Sequence, residues 1–283
     1  MQKQNKRKRG IGALLALTSI TACLVAGTFA KYTTTGTSTA SARVAKFGVE
    51  IEVEDKTSFS TSYDPTGDGA QEAGIYTKVT SSNTDKVVAP GTGEKDAITF
   101  KIKGTPESAV SLKAGIMPVG EKENPEEIFL AKGQYKDYTN APYTGNFQIG
   151  EEGYYPVVFT LTDKSGSGSA VATGNLRKIN TYLSETLSKE FEPNVAIDKT
   201  YSLSWKWASE GQGDNAAAID SADTLLGNLS ADNAKYIKGA KYTGATDTAG
   251  TFSDLTDTDY STNLSMTLVL EVSQKIKPSA SAL

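Results

Sequence analysis

Histidine is absent from this chain of 283 residues, and the single cysteine, Cys23, lies in an apolar run near the amino terminus. Without those side chains, the rest of the chain cannot form a Ser-His-Asp or Cys-His catalytic site, a histidine-ligated zinc site, a thiolate metal site or a disulfide. The composition, with 38% hydrophobic and 22% charged residues, is still typical of a globular protein. These absences favour a function that needs none of those sites.

A basic cluster is also missing from the main part of the chain. Five of the 29 Lys and Arg residues lie in residues 1–30, which contain no acidic residue, so the other 24 stand against 33 acidic residues in residues 31–283. Nucleic-acid binding depends on a clustered basic surface that neutralises phosphates. We therefore expect no nucleic-acid partner.

The first 30 residues have the pattern of an export signal. A cationic stretch, residues 3–9, precedes the uncharged run 11–30. That run ends in Thr28-Phe29-Ala30, with small residues where signal peptidase requires them, directly before Lys31. We predict that residues 1–30 are a signal peptide cut between Ala30 and Lys31, and that the protein is secreted or displayed at the cell surface.

Two other interpretations of this segment stay open. About 20 apolar residues can just span a bilayer, so an uncleaved signal would anchor the protein and would be its only contact with a membrane. The run Ile20-Thr21-Ala22-Cys23 is similar to a lipoprotein acylation motif, in which Cys23 would carry the lipid.

Strict alternation of apolar and polar residues predicts most of the secondary structure. Such alternation is typical of half-buried strands, and Gly-, Pro- and Asp-rich turns separate the segments. We predict an all-β fold, an antiparallel β-sandwich over residues 46–283. Pairing of its first strand with its last favours one domain, and a split near Gly104 or Gly166 stays open as the alternative. The alternating segments are residues 47–54, 98–103, 110–114, 155–161, 201–207 and 264–272.

One or two short helices are expected as insertions in the loops. Apolar residues at Leu176, Ile179, Leu183, Leu187 and Phe191 follow a helical spacing and predict a helix over residues 175–190, ended by Pro193. Residues 216–226 predict a second, shorter helix.

Two loops carry oxygen ligands of the kind that calcium prefers. Asp64, Asp68 and Glu72 surround a glycine-rich turn, although their spacing does not match an EF-hand. A second acidic loop contains Asp254, Asp257 and Asp259. Solvated turn aspartates are the alternative interpretation, since aspartate favours turns for its own backbone hydrogen bonds.

Trp205 and Trp207 flank Lys206, so both indole rings lie on one face of a predicted strand. Exposed, they would stack on sugars or bases, and buried, they would fill the core. Tyr201 and Leu203 lie on the same face, which favours the core.

Two stretches resemble the TasA and camelysin family. Gly27-Thr28-Phe29-Ala30-Lys31-Tyr32, then a Ser/Thr-rich segment and Phe47-Gly48-Val49-Glu50-Ile51, is similar to the amino terminus of that family. Trp205-Lys206-Trp207, followed by an acidic turn with Asp220, Asp223, Thr224 and Gly227, is similar to a second family motif. Family members often carry Pro-Phe after the tryptophan strand, where this chain has Ala208-Ser209.

The resemblance implies a jelly-roll sandwich secreted by Gram-positive bacteria that polymerises into fibres of the biofilm matrix. The amino-terminal strand of one subunit would insert into the sheet of the next, which is either another copy or a homologous matrix subunit. Ala40, Ala42 and Val44 alternate with polar residues in the extended segment 31–45 and are the candidate polymerisation strand. No cofactor is implied, and the motif residues Trp205 to Gly227 are structural.

Three alternatives remain at this point. In the first alternative, segment 31–45 does not add to another subunit but folds as an edge strand of its own subunit or stays disordered. The camelysin resemblance carries a metallopeptidase label, although a chain without histidine has no His-Glu-x-x-His helix. In the third alternative, the chain is a monomeric adhesin or carbohydrate-binding module that binds through exposed tyrosines, with Tyr135, Tyr138 and Tyr143 as the candidates.

Overall fold

Antiparallel strands dominate the described part of the chain. The computed structural model describes residues 45–55, 58–117, 125–166, 168–211, 213–231, 234–243 and 252–275. The predicted cleavage residues Thr28, Ala30 and Lys31 and the candidate strand residues Ala40, Ala42 and Val44 lie outside these ranges. The chain divides into two units, Met1–Lys46 and Phe47–Leu283, and every element below belongs to the second.

The largest sheet contains the strongest strands predicted from alternation. Its order is β1-β4-β12-β9-β10, and all four pairings are antiparallel. Its strands are β1 (Val49–Asp55), β4 (Thr92–Gly104), β9 (Val157–Asp163), β10 (Ser169–Gly174) and β12 (Ile197–Trp207).

The second sheet has three strands in the order β11-β5-β16, again antiparallel. They are β5 (Val110–Met117), β11 (Lys189–Phe191) and β16 (Thr267–Gln274). The first and last strands of the described chain therefore lie in different sheets, and the expectation that they pair is wrong. Each instead pairs with a strand closer to it in sequence that supplies a matching apolar face.

The remaining strands are short. One four-stranded sheet has the order β14-β13-β7-β8, and two further pairs are β15 with β6 and β2 with β3. Their bounds are β2 (Ser62–Tyr63), β3 (Val79–Thr80), β6 (Phe129–Leu130), β7 (Gly133–Lys136), β8 (Asn146–Ile149), β13 (Lys241–Tyr242), β14 (Phe252–Ser253) and β15 (Tyr260–Ser261).

Both predicted helices are present, with different ends. The helices are α1 (Ala70–Ala73), α2 (Leu176–Tyr182), α3 (Ala216–Ser230) and α4 (Ala234–Ile237), with a 3-10 turn at Gly213–Asn215. Helix α2 continues as a π-helical turn, Leu183–Leu187, and then stops. The prediction of helix to residue 190 is wrong at this end, because Lys189–Phe191 pairs with β5 as a strand.

The five-stranded sheet and the three-stranded sheet share one hydrophobic core. Phe100, Phe159 and Tyr201 of the five-stranded sheet and Leu112 and Ile116 of the three-stranded sheet belong to the same buried cluster. The prediction of an all-β fold of antiparallel sheets is confirmed, with the two sheets as the layers of a sandwich. The jelly-roll connectivity stays a prediction.

A second core lies under helix α3. Ala222, Leu225 and Leu229 on one face of this helix pack in a cluster with Tyr135 and Phe147 of the four-stranded sheet. This arrangement makes α3 a packed part of the fold. No helix in the described ranges is both long enough and apolar enough to cross a bilayer.

Strand β4 contains an irregularity opposite β12. Ile98 pairs with Leu203 and Glu94 pairs with Trp205, so three residues of β4 lie opposite the single residue Ser204. Asp96, in this bulge, has a φ of 52°, and its amide donates to Ser204 Oγ at 2.9 Å. The hydroxyl therefore satisfies a backbone group that the sheet ladder leaves free.

Candidate functional site

Two residues of the predicted family motif meet in the structure. Trp207, the last residue of β12, donates from its indole Nε1 to Asp223 Oδ1 at 3.1 Å. The hydroxyl of Tyr154 donates to the same oxygen at 2.6 Å. The carboxylate of Asp223 thus joins the five-stranded sheet, helix α3 and the segment before β9.

Alternation along β12 positions the indole. Tyr201, Leu203, Trp205 and Trp207 are all buried on the core side of the strand. The Nε1 of Trp205 donates to the carbonyl of Ser58 at 2.6 Å, so both indole N–H groups are paired. The interpretation of both tryptophans as core residues is confirmed.

The other motif residues do not reach this cluster. The acidic segment lies inside α3, so its interpretation as a turn is wrong. Asp220 is exposed and accepts from the amide of Gly211 at 2.7 Å, while the carbonyl of Thr224 accepts from Asn228. Gly227 is exposed on the same helix and lines the cavity described next.

A cavity of about 650 Å³ opens beside this cluster. Its buried wall includes Trp207, Ile128 and Leu226, and its exposed rim includes Gly227 and Ser230. The full lining is Phe59, Asp85, Lys86, Val87, Val88, Ala89, Pro90, Glu126, Ile128, Trp207, Asp223, Leu226, Gly227, Ser230, Thr262, Asn263 and Leu264. Sequence reasoning marked three of these residues and missed the others, because they come together only through the fold.

Burial dominates the electrostatics of Asp223. It raises the pKa of this carboxyl from 3.8 to about 6, although the hydrogen bonds from Tyr154 and Trp207 favour the ionised form. Burial and the nearby Asp223 charge also raise the pKa of the Tyr154 hydroxyl. The tyrosine therefore stays a hydrogen-bond donor at neutral pH.

The first acidic loop uses its oxygens within the protein. Asp64 Oδ1 accepts from the amide and hydroxyl of Thr66, and these bonds lower the pKa of Asp64 to about 2. Glu72 forms an ion pair with Lys95 at 2.7 Å, whereas Asp68 is exposed. These contacts favour the interpretation of the loop as a turn with its own internal hydrogen bonds over its interpretation as a calcium site.

The second acidic loop has similar internal partners. Asp254 accepts from the amide of Gly239, and the buried Asp259 forms an ion pair with Lys241, while Asp257 is exposed. Across the described ranges, no three Asp, Glu, His or Cys side chains lie close enough together to hold a metal ion.

The tyrosines expected on an exposed loop are mostly buried. Tyr135 is 0% exposed and Tyr138 is 8% exposed, while Tyr143 is half-buried against Tyr138. Tyr135 donates from its hydroxyl to the carbonyl of Ala131, so it belongs to the second core. The expectation of an exposed tyrosine surface is wrong, because alternation along β7 places Tyr135 against α3.

Strand β16 forms one edge of the three-stranded sheet. In the part of the chain that the structure describes, β16 pairs on one side only, with β5. Its core-facing residues Leu268, Leu270 and Val272 are only half-buried, and Val269 on the other face is 39% exposed. Within the described ranges, the strand therefore combines an edge that has no neighbouring strand with partly exposed apolar side chains.

The opposite edge of β5 is covered. The amide of Ala114 donates to Ser188 Oγ and the amide of Ile116 donates to Asn180 Oδ1, both at 2.7 Å. Strand β11 continues this coverage along β5. Helix α2, its π turn and β11 together thus cover the edge of β5 opposite β16.

Strand β1, at the edge of the five-stranded sheet, has a different character. Glu50, Glu52 and Glu54 are exposed on its outer face, and Lys101 lies 3.4 Å from Glu52 and 3.8 Å from Glu54. Rows of charge on an edge strand oppose pairing with another chain. Between the edge strands β1 and β16, β16 is the one better suited to accept a strand.

Comparison with known proteins adds no relative to this description. No protein-family model, no curated protein and no solved structure matches the chain.

Proposed function

We propose that this chain is an exported structural subunit of an extracellular fibre, such as a fibre of the biofilm matrix of a Gram-positive bacterium. In this proposal the amino-terminal segment, freed by signal peptidase, adds as a strand to the edge of the next subunit. The observation that carries the proposal is the half-buried apolar edge of β16. The role requires no catalytic residue and no cofactor.

The properties of β16 favour strand addition. Eight residues is long for an edge strand that lacks a proline and carries one charge, Glu271, which lies opposite Lys113 of β5. An edge of that kind is a template for another strand, because its outward-facing N–H and C=O groups can form hydrogen bonds with an added strand. A donor strand would also cover Leu268 and Leu270.

The segment before β1 has the complementary properties. Ala40, Ala42 and Val44 are small apolar residues at alternate positions, and Ser41 and Arg43 lie between them. Alternate side chains of an added strand enter the acceptor's core while the others face solvent. Small residues suit an edge whose core positions are already half-filled.

The test compares two edges of the same protein by electron microscopy. We expect protein starting at Lys31 to form fibres, and the variant Val269→Lys on β16 to stay monomeric, because a lysine on an edge strand blocks edge pairing. The matched control is Val53→Lys on β1, where the replaced valine is 54% exposed. This control should still form fibres.

Deletion of residues 31–44 tests the donor. That protein should fold and stay monomeric, and it should not elongate fibres of the intact protein. Fibres of unchanged length from the deleted chain, or equal loss of fibres in the two lysine variants, would refute the proposed assembly.

A further inference from the structure

The cavity beside Trp207 is formed by separate parts of the fold that backbone hydrogen bonds hold in place. The amide of Val87 donates to the carbonyl of Ser60, and the amide of Glu126 donates to that of Ser265, both at 2.9 Å. The amide of Gly91 donates to the carbonyl of Trp207 at 3.0 Å. A volume of about 650 Å³ lies within the usual range of sites for small organic ligands.

Gly227 is an unexpected residue at the rim of this cavity. It lies within the 15-residue helix α3, where glycine costs about 0.5–1 kcal/mol relative to alanine. It is not among the residues with positive φ, and a Cβ at this position would meet no atom within 4 Å. Neither backbone strain nor close packing requires glycine here, and its effect is to leave the rim clear.

The charged groups of the cavity are mainly acidic. Asp85, Glu126 and Asp223 line it together with one cation, Lys86. Around them the wall is apolar, with Trp207 and Leu226 among its residues. A ligand that fits this surface combines a positive charge with an apolar body.

Asp223 supplies the acceptor for that charge. Tyr154 and Trp207 both donate to Oδ1, and among the described residues no donor reaches Oδ2. Oδ2 is not fully buried, and Asp223 is one of the residues that line the cavity. The two donors hold the carboxylate in place for a third bond.

We propose that this cavity is a binding site for an organic cation, an ammonium or guanidinium group on an apolar body, with Asp223 Oδ2 as its acceptor and Trp207 in its wall. The site is independent of strand addition at β16. Because the pKa of Asp223 is about 6, its carboxylate is mostly ionised at pH 7.5 and available to a cation.

The test uses 4-phenylbutylamine and its neutral counterpart 4-phenylbutanol at pH 7.5, with tryptophan fluorescence and calorimetry as readouts. Hydrogen bonds to charged groups are worth about 1.5–3 kcal/mol, so the amine should bind at least about tenfold more tightly than the alcohol. Equal affinity for the two probes, or saturable binding of neither, would overturn the proposal.

Two variants localise the binding. Asp223→Asn keeps an acceptor for Tyr154 and Trp207 but removes the charge, so it should abolish the preference for the amine. Gly227→Leu fills the open rim and should weaken both probes. Glu185→Gln, an exposed site on the π turn, is the charge-matched control and should bind as the parent does. An unchanged affinity in Gly227→Leu would place the probe elsewhere and refute the site.

The same cation could come from a protein chain in place of a free amine. A synthetic peptide of residues 31–44, which contains Lys31 and Arg43, forms the second arm of the test. Binding that is lost in Asp223→Asn supports the site and identifies a chain segment as its source. In this arm the parent and Asp223→Asn both carry Val269→Lys, so that strand addition at β16 does not contribute. Binding of the peptide that then persists in Asp223→Asn contradicts the role of Asp223.

Discussion

Trp207 and Asp223 are 16 residues apart in sequence, and the indole of the first donates to the carboxylate of the second across the boundary between β12 and α3. Trp207 is 5% exposed, so few water molecules can replace this acceptor. A buried donor left without a partner costs about 1–3 kcal/mol. The bond therefore ties the helix to the sheet.

Removal of the Asp223 side chain should destabilise the fold. In Asp223→Ala both Tyr154 and Trp207 lose their acceptor, so we expect the free energy of unfolding at pH 5, where the carboxyl of the folded state is mostly protonated, to fall by about 2–4 kcal/mol. Asp223→Asn retains an acceptor and should lose much less. Urea denaturation measures both, and equal losses would show that the bonds to Oδ1 contribute little.

The pKa of Asp223 predicts a dependence of stability on pH. Because burial raises this pKa from 3.8 to about 6, the folded state holds a proton that the unfolded state releases, and the stabilisation is complete below about pH 4. It is lost as the pH rises through 6, by up to about 3 kcal/mol for a shift of this size. The nearby groups are Tyr154, Trp207 and Asp220.

The comparison with Asp223→Asn isolates this effect from other titrating groups. Between pH 4 and pH 7.5, the parent should lose stability relative to the variant. A difference in unfolding free energy that stays constant over this range would mean that Asp223 titrates near its ordinary pKa.

Two glycine substitutions should have opposite signs. Gly227→Ala should stabilise the protein by about 0.5–1 kcal/mol, because alanine favours a helix and the added Cβ meets nothing. Gly91→Ala should destabilise it by more than about 1 kcal/mol, because φ is +77° and its Cβ would lie 2.2 Å from Thr77 Oγ1. Thermal unfolding distinguishes them, and a loss of stability in Gly227→Ala would contradict the open rim.

Side chains that accept hydrogen bonds from the edge of β5 should stabilise the protein and protect the amides of that strand from hydrogen exchange. In Asn180→Ala the amide of Ile116 loses its partner, and we expect a loss of about 1–2 kcal/mol together with faster hydrogen exchange at that amide. Thr181→Ala, on the next residue and exposed, is the control. Unchanged exchange at Ile116 would show that water or a shifted side chain replaces Asn180.

The strands were the most predictable part of the fold. Alternation in residues 98–103 and 201–207 identifies Phe100, Leu203 and Trp205 as core residues, and all three are buried. Such a pattern records only that one face is covered. It does not tell which strand is the neighbour, and the pairing of β16 with β5 therefore could not be predicted.

Helix ends and the site were less predictable. The apolar spacing that continues to Phe191 suits a helix, but pairing with Val110 of β5 places this residue in a strand. The resemblance marked Trp207 and Asp223 as structural without stating that they touch. Tyr154 had no sequence signal at all, because it reaches Asp223 from a separate segment 69 residues away in sequence.

The bulge in β4 also has a consequence for insertions and deletions. Here β4 has three residues opposite one residue of β12, an excess of two. Because side chains alternate between the two faces of a strand, an even excess leaves Ile98 and Glu94 opposite Leu203 and Trp205, which both lie on the buried face of β12. Loss of one residue there would exchange the inner and outer sides of everything beyond it, whereas loss of a pair such as Lys95 and Asp96 would preserve them. Homologous chains should therefore differ in length at this place by two residues or by none.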